Sequence, residues 1–161
     1  MTSIGRVVST KSQIIKNGID DKSTIFMYID ATDFEGEMFY DIGMFFKESI
    51  SRAFPKKGVI LVRVANGEVL EFSNSLDEVN SRDFDGTLLD GKMVYLNSIV
   101  FTATREEVDK LKSGISKLRV QTKDDHIDIE YPEDTLGAAI GIHLAKIDAA
   151  FAKKKDIRDD F

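Results

Sequence analysis

Two apolar runs separated by an Asn-Gly pair constrain the fold of this chain more than any other feature of its sequence. Residues 59–65 (VILVRVA) and 68–73 (EVLEFS) lie on either side of Asn66 and Gly67. Such a pair is the strongest short-range signal for a β-hairpin, because a type I′ turn needs a positive φ at both of its central positions. The sequence therefore predicts a hairpin with a two-residue turn at this point.

The predicted turn also sets the register of the two strands. It pairs Val64 with Val69 and Leu61 with Phe72. Apolar side chains then lie on both faces of the hairpin, so we expect both strands to be central in a sheet and covered on both sides. Residues 93–102 (MVYLNSIVFT) are also apolar on both faces and predict a third strand of this kind.

A second hairpin is predicted from the alternation of apolar and polar residues in two neighbouring runs. The positions expected to face the core are Leu118, Val120, Thr122, Ile127, Ile129 and Tyr131. A two-residue turn at Asp124 and Asp125 brings these positions opposite one another. The same register places Arg119 opposite Glu130 on the polar face, which is a favourable cross-strand pair. We expect one face of this hairpin in the core and the other in solvent.

A short helix is predicted directly after the third strand. Thr104 and Glu107 fit a capping box, in which each side chain accepts a hydrogen bond from the backbone N–H of the other residue. Val108 and Leu111 follow at helical spacing, and Gly114 stands where helices commonly end. These residues together predict about two turns of helix.

A longer helix is predicted after Pro132, up to about Lys155. Its apolar stripe is formed by Leu136, Ile140, Leu144, Ile147 and Phe151. Acidic residues stand at its start and lysines at its end, which suits the helix dipole. Small residues recur on it at every fourth position: Gly137, Gly141, Ala145 and Ala149. This row indicates either tight packing on the sheet of the same chain or a helix–helix contact between subunits.

Two segments near the N-terminus fit more than one secondary structure. Residues 1–18 have partly helical spacing, but their β-branched residues weaken a helical interpretation. Residues 34–54 fit strands with a bulge near Gly36 or Gly43, and also a helix, which we slightly favour in the second half. Residues 24–30 (TIFMYID), between the two segments, predict a buried strand.

These elements predict one α+β domain over residues 1–161. We expect a mainly antiparallel sheet of hairpins, with about five to seven strands and the long C-terminal helix packed on one face. A content of 42% apolar and 31% charged residues is ordinary for a globular domain. Cysteine is absent, which excludes a disulfide framework, thiolate metal sites and cysteine nucleophiles.

The charge and hydropathy of the chain narrow the classes of partner. The chain has 22 Lys and Arg against 28 Asp and Glu, so its formal net charge is −6. An acidic surface repels phosphate backbones, and we expect no binding to nucleic acid. The sequence shows no secretory signal pattern and no run of about 18 apolar residues, so we expect a cytoplasmic location and no membrane contact.

One short motif suggests an enzyme. Residues 83–90 read DFDGTLLD, and the first five resemble DxDGT, the first motif of the haloacid dehalogenase-like phosphatases. The resemblance implies that Asp83 is a nucleophile, that Asp85 is a general acid/base, and that Mg²⁺ bridges carboxylates and phosphate. In that family the motif follows a buried parallel strand, whereas the residues before it here are polar. Because Asp and Gly favour turns, we expect a surface turn and assign no catalytic, cofactor or metal residue.

An acidic cluster lies within a segment rich in aromatic residues. The acidic members are Asp30, Asp33, Glu35, Glu37 and Asp41. A Ca²⁺ site uses such carboxylates, but their spacing does not fit an EF-hand, so we interpret them as solvated charges. The aromatic members are Phe26, Tyr28, Phe34, Phe39, Tyr40, Phe45, Phe46 and Phe54. We expect most of them in the core, and any exposed rings would form a binding patch.

The function predicted from these observations is a non-enzymatic protein-interaction or accessory domain. It rests on the lack of a nucleophile–base set and of a cofactor-binding loop. The two histidines, His126 and His143, are interpreted as surface or boundary residues and not as metal ligands. The expected partner is a protein, with a homo-oligomer through the C-terminal helix as one form. The alternative is the Mg²⁺-dependent phosphatase described above.

Overall fold

The computed structural model describes residues 6–11, 13–15, 25–48, 50, 52–76, 84–89 and 92–159 of the chain. Within these residues the elements follow in the order β1 (Arg6–Ser9), β2 (Gln13–Ile15), β3 (Ile25–Phe34), β4 (Glu37–Glu48), β5 (Val59–Val64), β6 (Val69–Ser73), β7 (Phe84–Leu89), β8 (Lys92–Thr104), α1 (Arg105–Lys112), β9 (Ile115–Gln121), β10 (His126–Glu130) and α2 (Thr135–Asp159). Every strand pair among them is antiparallel.

The strands form two sheets. One has the order β1-β3-β4-β8-β7, with β2 also paired to β3, and the other has the order β10-β9-β5-β6. The fold is therefore α+β with antiparallel sheets and a long C-terminal helix, which confirms the predicted class. The expectation of about five to seven strands was too low, because both ambiguous N-terminal segments contain strands and Phe84–Leu89 forms one as well.

The core lies between the inner faces of the two sheets, and both helices close it. Alternate residues of the first sheet supply one side, namely Ile25, Met27, Ile29, Ala31, Tyr40, Ile42, Met44, Phe46, Ile99, Phe101 and Ala103. The second sheet supplies Ile60, Val62, Val64, Leu70, Phe72, Ile115, Leu118 and Val120. The rings of Phe72 and Phe101, with centroids 4.5 Å apart, join the two sheets.

The segment with the least certain prediction forms the centre of the first sheet. A tight turn at Glu35 and Gly36, with φ of 52° and 85°, joins β3 to β4. β4 then pairs with β3 along one side and with β8 along the other. These neighbours satisfy its backbone groups, which local spacing cannot show. The slight preference for a helix in the second half of 34–54 is therefore wrong, and the described part of 1–18 forms strands as well.

The hairpin at Asn66 and Gly67 is confirmed, but its loop has three residues and not two. The Val64 N–H bonds to the Glu68 carbonyl at 2.9 Å, which closes a loop over residues 65–67. The Asn66 side chain accepts the Glu68 N–H at 2.8 Å. Gly67 is the loop residue with a positive φ, 87°. This is the three-residue hairpin loop with glycine at the left-handed position, and not a type I′ turn.

The longer loop shifts the strand register by one residue. Val62 lies opposite Leu70, and Leu61 lies opposite Glu71. A shift of one residue moves the side chains of one strand to the opposite face relative to those of the other strand. In the observed register the buried residues of both strands therefore lie on the same face. Val69 on the other face is 49% exposed, and β6 is an edge strand. The prediction of two strands covered on both sides is therefore wrong.

The hairpin of β9 and β10 is confirmed, and its predicted apolar positions pack in or against the core. Thr122 does not belong to the core, and the turn is centred one residue earlier than predicted. The Thr122 N–H bonds to the Asp125 carbonyl at 2.9 Å, and the Thr122 hydroxyl accepts the Asp125 N–H at 3.1 Å. The central residues are therefore Lys123 and Asp124. The hydroxyl of Thr122 favours this turn because it satisfies a backbone donor within it.

This change shifts the register by two residues, which keeps every side chain on its predicted face but changes its partner. Arg119 lies opposite Asp128 and not opposite Glu130. Its guanidinium donates two hydrogen bonds to the Asp128 carboxylate, at 2.6 and 2.8 Å. These bonds lower the pKa of Asp128 from its ordinary value of 3.8 to about 2.

The short helix α1 agrees with its prediction. The Thr104 hydroxyl accepts the Glu107 N–H at 3.2 Å, and the Glu107 carboxylate accepts the Thr104 N–H at 3.0 Å. Val108 and Leu111 are buried. Gly114 follows the C-cap residue with a φ of 141°. The capping box and the glycine thus set both ends of α1.

The apolar stripe of α2 is confirmed as part of the core. Its first four residues are buried and Phe151 is partly buried against the core. Asp134, just before the helix, accepts the N–H groups of Gly137 and Ile115, each at 2.9 Å. One carboxylate oxygen therefore caps α2 and also joins it to the start of β9.

The row of small residues on α2 has two different environments. A Cβ on Gly137 would lie 2.9 Å from the Gly114 Cα and 2.9 Å from the Leu111 carbonyl oxygen. Gly137 thus allows close packing against the end of α1, and not against a sheet as predicted. Ala145 and Ala149, further along the row, are exposed.

Over Thr135–Lys153, α2 is long and apolar enough by composition to cross a membrane. The core helix of a globular protein meets the same criterion. The apolar stripe of α2 packs in the core.

Candidate functional site

The outer side of the six-stranded sheet carries a patch of aromatic side chains. Five rings point away from the core and are named here the outer aromatic face: Phe26, Tyr28, Phe34, Phe39 and Phe45. None of the five belongs to the hydrophobic core cluster. Phe34 is 40% exposed and Phe39 is 38% exposed. The expectation that most aromatic residues of this segment lie in the core is wrong, because a strand sends alternate side chains to opposite faces.

A glycine shapes the middle of this face. Tyr28 lies opposite Gly43, and a Cβ on Gly43 would overlap with the Tyr28 ring. The ring therefore lies across the backbone of β4. It also packs beside Phe45, with ring centroids 5.8 Å apart. The absence of a side chain at Gly43 thus leaves the space that the Tyr28 ring occupies.

Two carboxylates lie directly opposite each other next to these rings. Asp30 on β3 faces Asp41 on β4, and we call them the carboxylate pair. The row continues to Ser9 on β1 and to Thr102 on β8. The Thr102 hydroxyl donates a hydrogen bond of 2.6 Å to Asp41. Burial raises the pKa of Tyr28, and the charges of the carboxylate pair raise it further.

The carboxylate pair has no salt bridge to a described Lys, Arg or His side chain. Like charges that face each other across two strands destabilise a sheet. Aromatic rings beside carboxylates that form no salt bridge with a described side chain suit the binding of apolar and cationic groups.

The acidic cluster seen in the sequence is largely dispersed by the fold. Asp33 pairs with Arg6 at 3.3 Å, and Glu35 lies in the turn between β3 and β4. Only Asp30 and Asp41 come together. No group of three or more His, Cys, Asp or Glu side chains that could hold a metal ion occurs among the described residues.

The described part of the motif that resembles the phosphatases lies in a strand. Asp83 lies outside the described residues, and only the backbone of Asp85 is described. Phe84–Leu89 forms β7, the last strand in the order of its sheet, antiparallel to β8. The expectation of a turn is therefore wrong for Phe84–Leu89. The resemblance implies a preceding parallel strand, and none of the described strand pairs is parallel.

The two histidines differ in their surroundings. The His126 side chain is 42% exposed, and its Nδ1 lies 3.0 Å from Asp125. His143 is 1% exposed, and its Nδ1 lies 2.6 Å from the Thr10 hydroxyl. Burial lowers the pKa of His143, and the charge of Lys146 lowers it further. The interpretation of His143 as a surface or boundary residue is wrong. Its position beside the apolar stripe of α2 was the signal that could have shown this.

The outer face of the second sheet has a shallow depression. It is lined by Leu61, Arg63, Val69, Lys117 and Arg119 and has a volume of about 100 Å³. Small-molecule sites are typically about 300 Å³ or larger. This depression is therefore too small to be the principal site.

Comparisons of this chain with protein family models, with curated proteins and with solved structures found no match.

Proposed function

We propose that this chain is a non-enzymatic protein-interaction or accessory domain that binds its partner with the outer aromatic face. The observation that carries the proposal is that five aromatic rings on neighbouring strands lie outside the core. Two of them, Phe34 and Phe39, are more than one third exposed. Phenylalanine and tyrosine are enriched at the centres of protein interfaces. Contiguous exposed apolar surface is a mark of binding sites.

The rigidity of the surface also supports this proposal. β3 and β4 are paired over ten residues each, and β4 is paired with β8 on its other side. Tyr28 is held between Gly43 and Phe45. A surface that is already ordered loses little conformational entropy when a partner binds. The proposal retains the predictions of a cytoplasmic location and of no cofactor and no nucleic-acid partner.

A second copy of the chain is the other protein partner to consider, through the exposed side of α2. Ile142 is 51% exposed, and Ala145 and Ala149 near it are exposed as well. Small residues along a helix allow close approach of another helix. A dimer by sedimentation that becomes a monomer in Ala145→Glu supports this contact. A monomer at all concentrations contradicts it.

The proposal is tested by site-specific crosslinking in the native host. A photoreactive amino acid replaces Thr32, which lies between Phe34 and Asp30 on the outer side of β3. A matched variant carries it at Glu71, an exposed position on the outer side of the other sheet. Crosslinked adducts are identified by mass spectrometry.

We expect one predominant protein adduct from position Thr32 and a different, weaker pattern from position Glu71. The same adducts from both positions, or none from Thr32, contradict a specific partner on the outer aromatic face.

The competing proposal, an Mg²⁺-dependent phosphatase, rests on the DxDGT motif alone. It requires hydrolysis of a generic phosphate ester that depends on Mg²⁺ and is lost in Asp83→Asn. We expect no such hydrolysis. Metal-dependent turnover that disappears in this variant would overturn the proposal of a non-enzymatic domain.

A further inference from the structure

We infer that the partner places an arginine side chain on the carboxylate pair, Asp30 and Asp41, so that the outer aromatic face recognises a basic segment of another protein. The inference rests on the proposed function and specifies the chemistry of the partner at the same site. The partner is a protein segment that carries one arginine between apolar residues.

The carboxylate pair places two negative charges side by side on the outer side of the sheet. Asp30 and Asp41 occupy directly opposite positions on adjacent strands, and no described cation forms a salt bridge with either. Two facing negative charges raise the energy of the sheet. A bound cation removes this repulsion. The repulsion in the unliganded protein therefore favours the binding of a positively charged group.

Aromatic rings flank the carboxylate pair on both sides along the strands. Phe39 precedes Asp41 by two residues on the same face of β4, and Tyr28 precedes Asp30 by two residues on the same face of β3. A guanidinium can stack on an aromatic ring while its N–H groups bind carboxylates. An ammonium is more strongly hydrated and lacks the planar fork, so arginine fits this surface better than lysine.

The row of side chains through the carboxylate pair offers few oxygen ligands to a metal ion. The row across the four strands offers two carboxylates and the hydroxyls of Ser9 and Thr102, and the Thr102 hydroxyl already donates to Asp41. Ca²⁺ requires six to eight oxygens and is usually held by more carboxylates. The net charge of −6 attracts cationic proteins at long range. An organic cation on a protein is therefore favoured over a metal ion.

The experiment uses three acetylated and amidated peptides that differ only in their central residue. Their sequence is Ser-Leu-Xaa-Leu-Ser, where Xaa is arginine, neutral citrulline or glutamate. Binding to the full chain is followed by NMR through the backbone amide resonances of β3 and β4. The variants are the double substitution Asp30→Asn with Asp41→Asn, and Glu71→Gln as the matched control on the other sheet.

We expect the arginine peptide to bind about tenfold more tightly than the citrulline peptide, with the largest shifts at Asp30 and Asp41. The double variant should lose this preference, and Glu71→Gln should keep it. Equal affinities for arginine and citrulline, or a preference that survives in the double variant, overturn the inference. Saturable shifts at the pair with Ca²⁺ or Mg²⁺ alone also overturn it, in favour of a metal site.

The two proposals fail in different ways. If position Thr32 gives one predominant protein adduct but the peptides show no preference for arginine, only the inference about the partner's chemistry is contradicted. If position Thr32 gives no adduct, the proposed function itself is contradicted.

Discussion

The aromatic ring of Tyr28 lies across the backbone of Gly43, its direct neighbour on the adjacent strand. This contact explains a glycine in the middle of a central strand, where a glycine normally weakens the sheet. The ring also packs beside Phe45, with ring centroids 5.8 Å apart.

The substitution Gly43→Ala is expected to destabilise the protein by about 2 kcal/mol, because the new Cβ must displace the Tyr28 ring. Urea unfolding measures the change. In the background Tyr28→Ala the same substitution should be neutral or stabilising, since alanine restricts the unfolded chain more than glycine does. Equal costs in both backgrounds contradict the contact.

The substitution Asp30→Asn is expected to raise the free energy of unfolding by about 0.5 kcal/mol at neutral pH, because it removes the repulsion with Asp41. Asp33→Asn is the matched control on the same strand. Asp33 pairs with Arg6, so its substitution should give no gain. Thermal or urea unfolding at low salt tests both variants. A loss of stability in Asp30→Asn argues against a repulsion between Asp30 and Asp41.

The substitution Asp134→Ala is expected to cost about 2 kcal/mol, since it removes the cap of α2 and leaves the N–H of buried Ile115 without its acceptor. Asp134→Asn keeps an acceptor oxygen and should cost much less. Chemical denaturation of the two variants compares the effects. If Asn is as costly as Ala, the charge and not the hydrogen bonds stabilises this junction.

The stability of the protein is expected to fall as the pH drops below 6.5, because burial lowers the pKa of His143 in the folded state. The unfolded chain then binds a proton at a pH where the folded protein does not, which favours unfolding. The contribution is complete above pH 6.5 and is lost toward the lowered pKa. Urea unfolding at pH 7 and pH 5 should show a smaller difference in His143→Gln than in the wild type.

A difference between pH 7 and pH 5 that is as large in His143→Gln as in the wild type contradicts this account.

The elements that the sequence predicted best depend on contacts within a few residues. The capping box of Thr104 and Glu107 and the apolar stripe of α2 are local patterns of this kind. The strand registers were less predictable. A loop of three residues at Gly67 shifted one hairpin by one position, and the hydroxyl of Thr122 shifted the other by two. In both places a side-chain hydrogen bond selected the turn.

The candidate site was predicted only in outline. Its aromatic residues fit a helix or a strand equally well until β3 pairs with β4, because both spacings place apolar residues on a common face. Gly36 was the signal that could have resolved this. A two-residue turn at Glu35 and Gly36 sets the register of the two strands and therefore places Asp30 opposite Asp41.

The central claim is that the rings of the outer aromatic face bind a partner and add little to folding. The most direct measurement is made on the double variant Phe34→Ser with Phe39→Ser, carrying the photoreactive residue at Thr32. We expect its stability to fall by less than about 1 kcal/mol and the partner adduct to disappear. A core variant, Phe101→Ser, should instead lose about 4 kcal/mol. An adduct that persists in the double variant, or a loss of stability as large as that of Phe101→Ser, contradicts the claim.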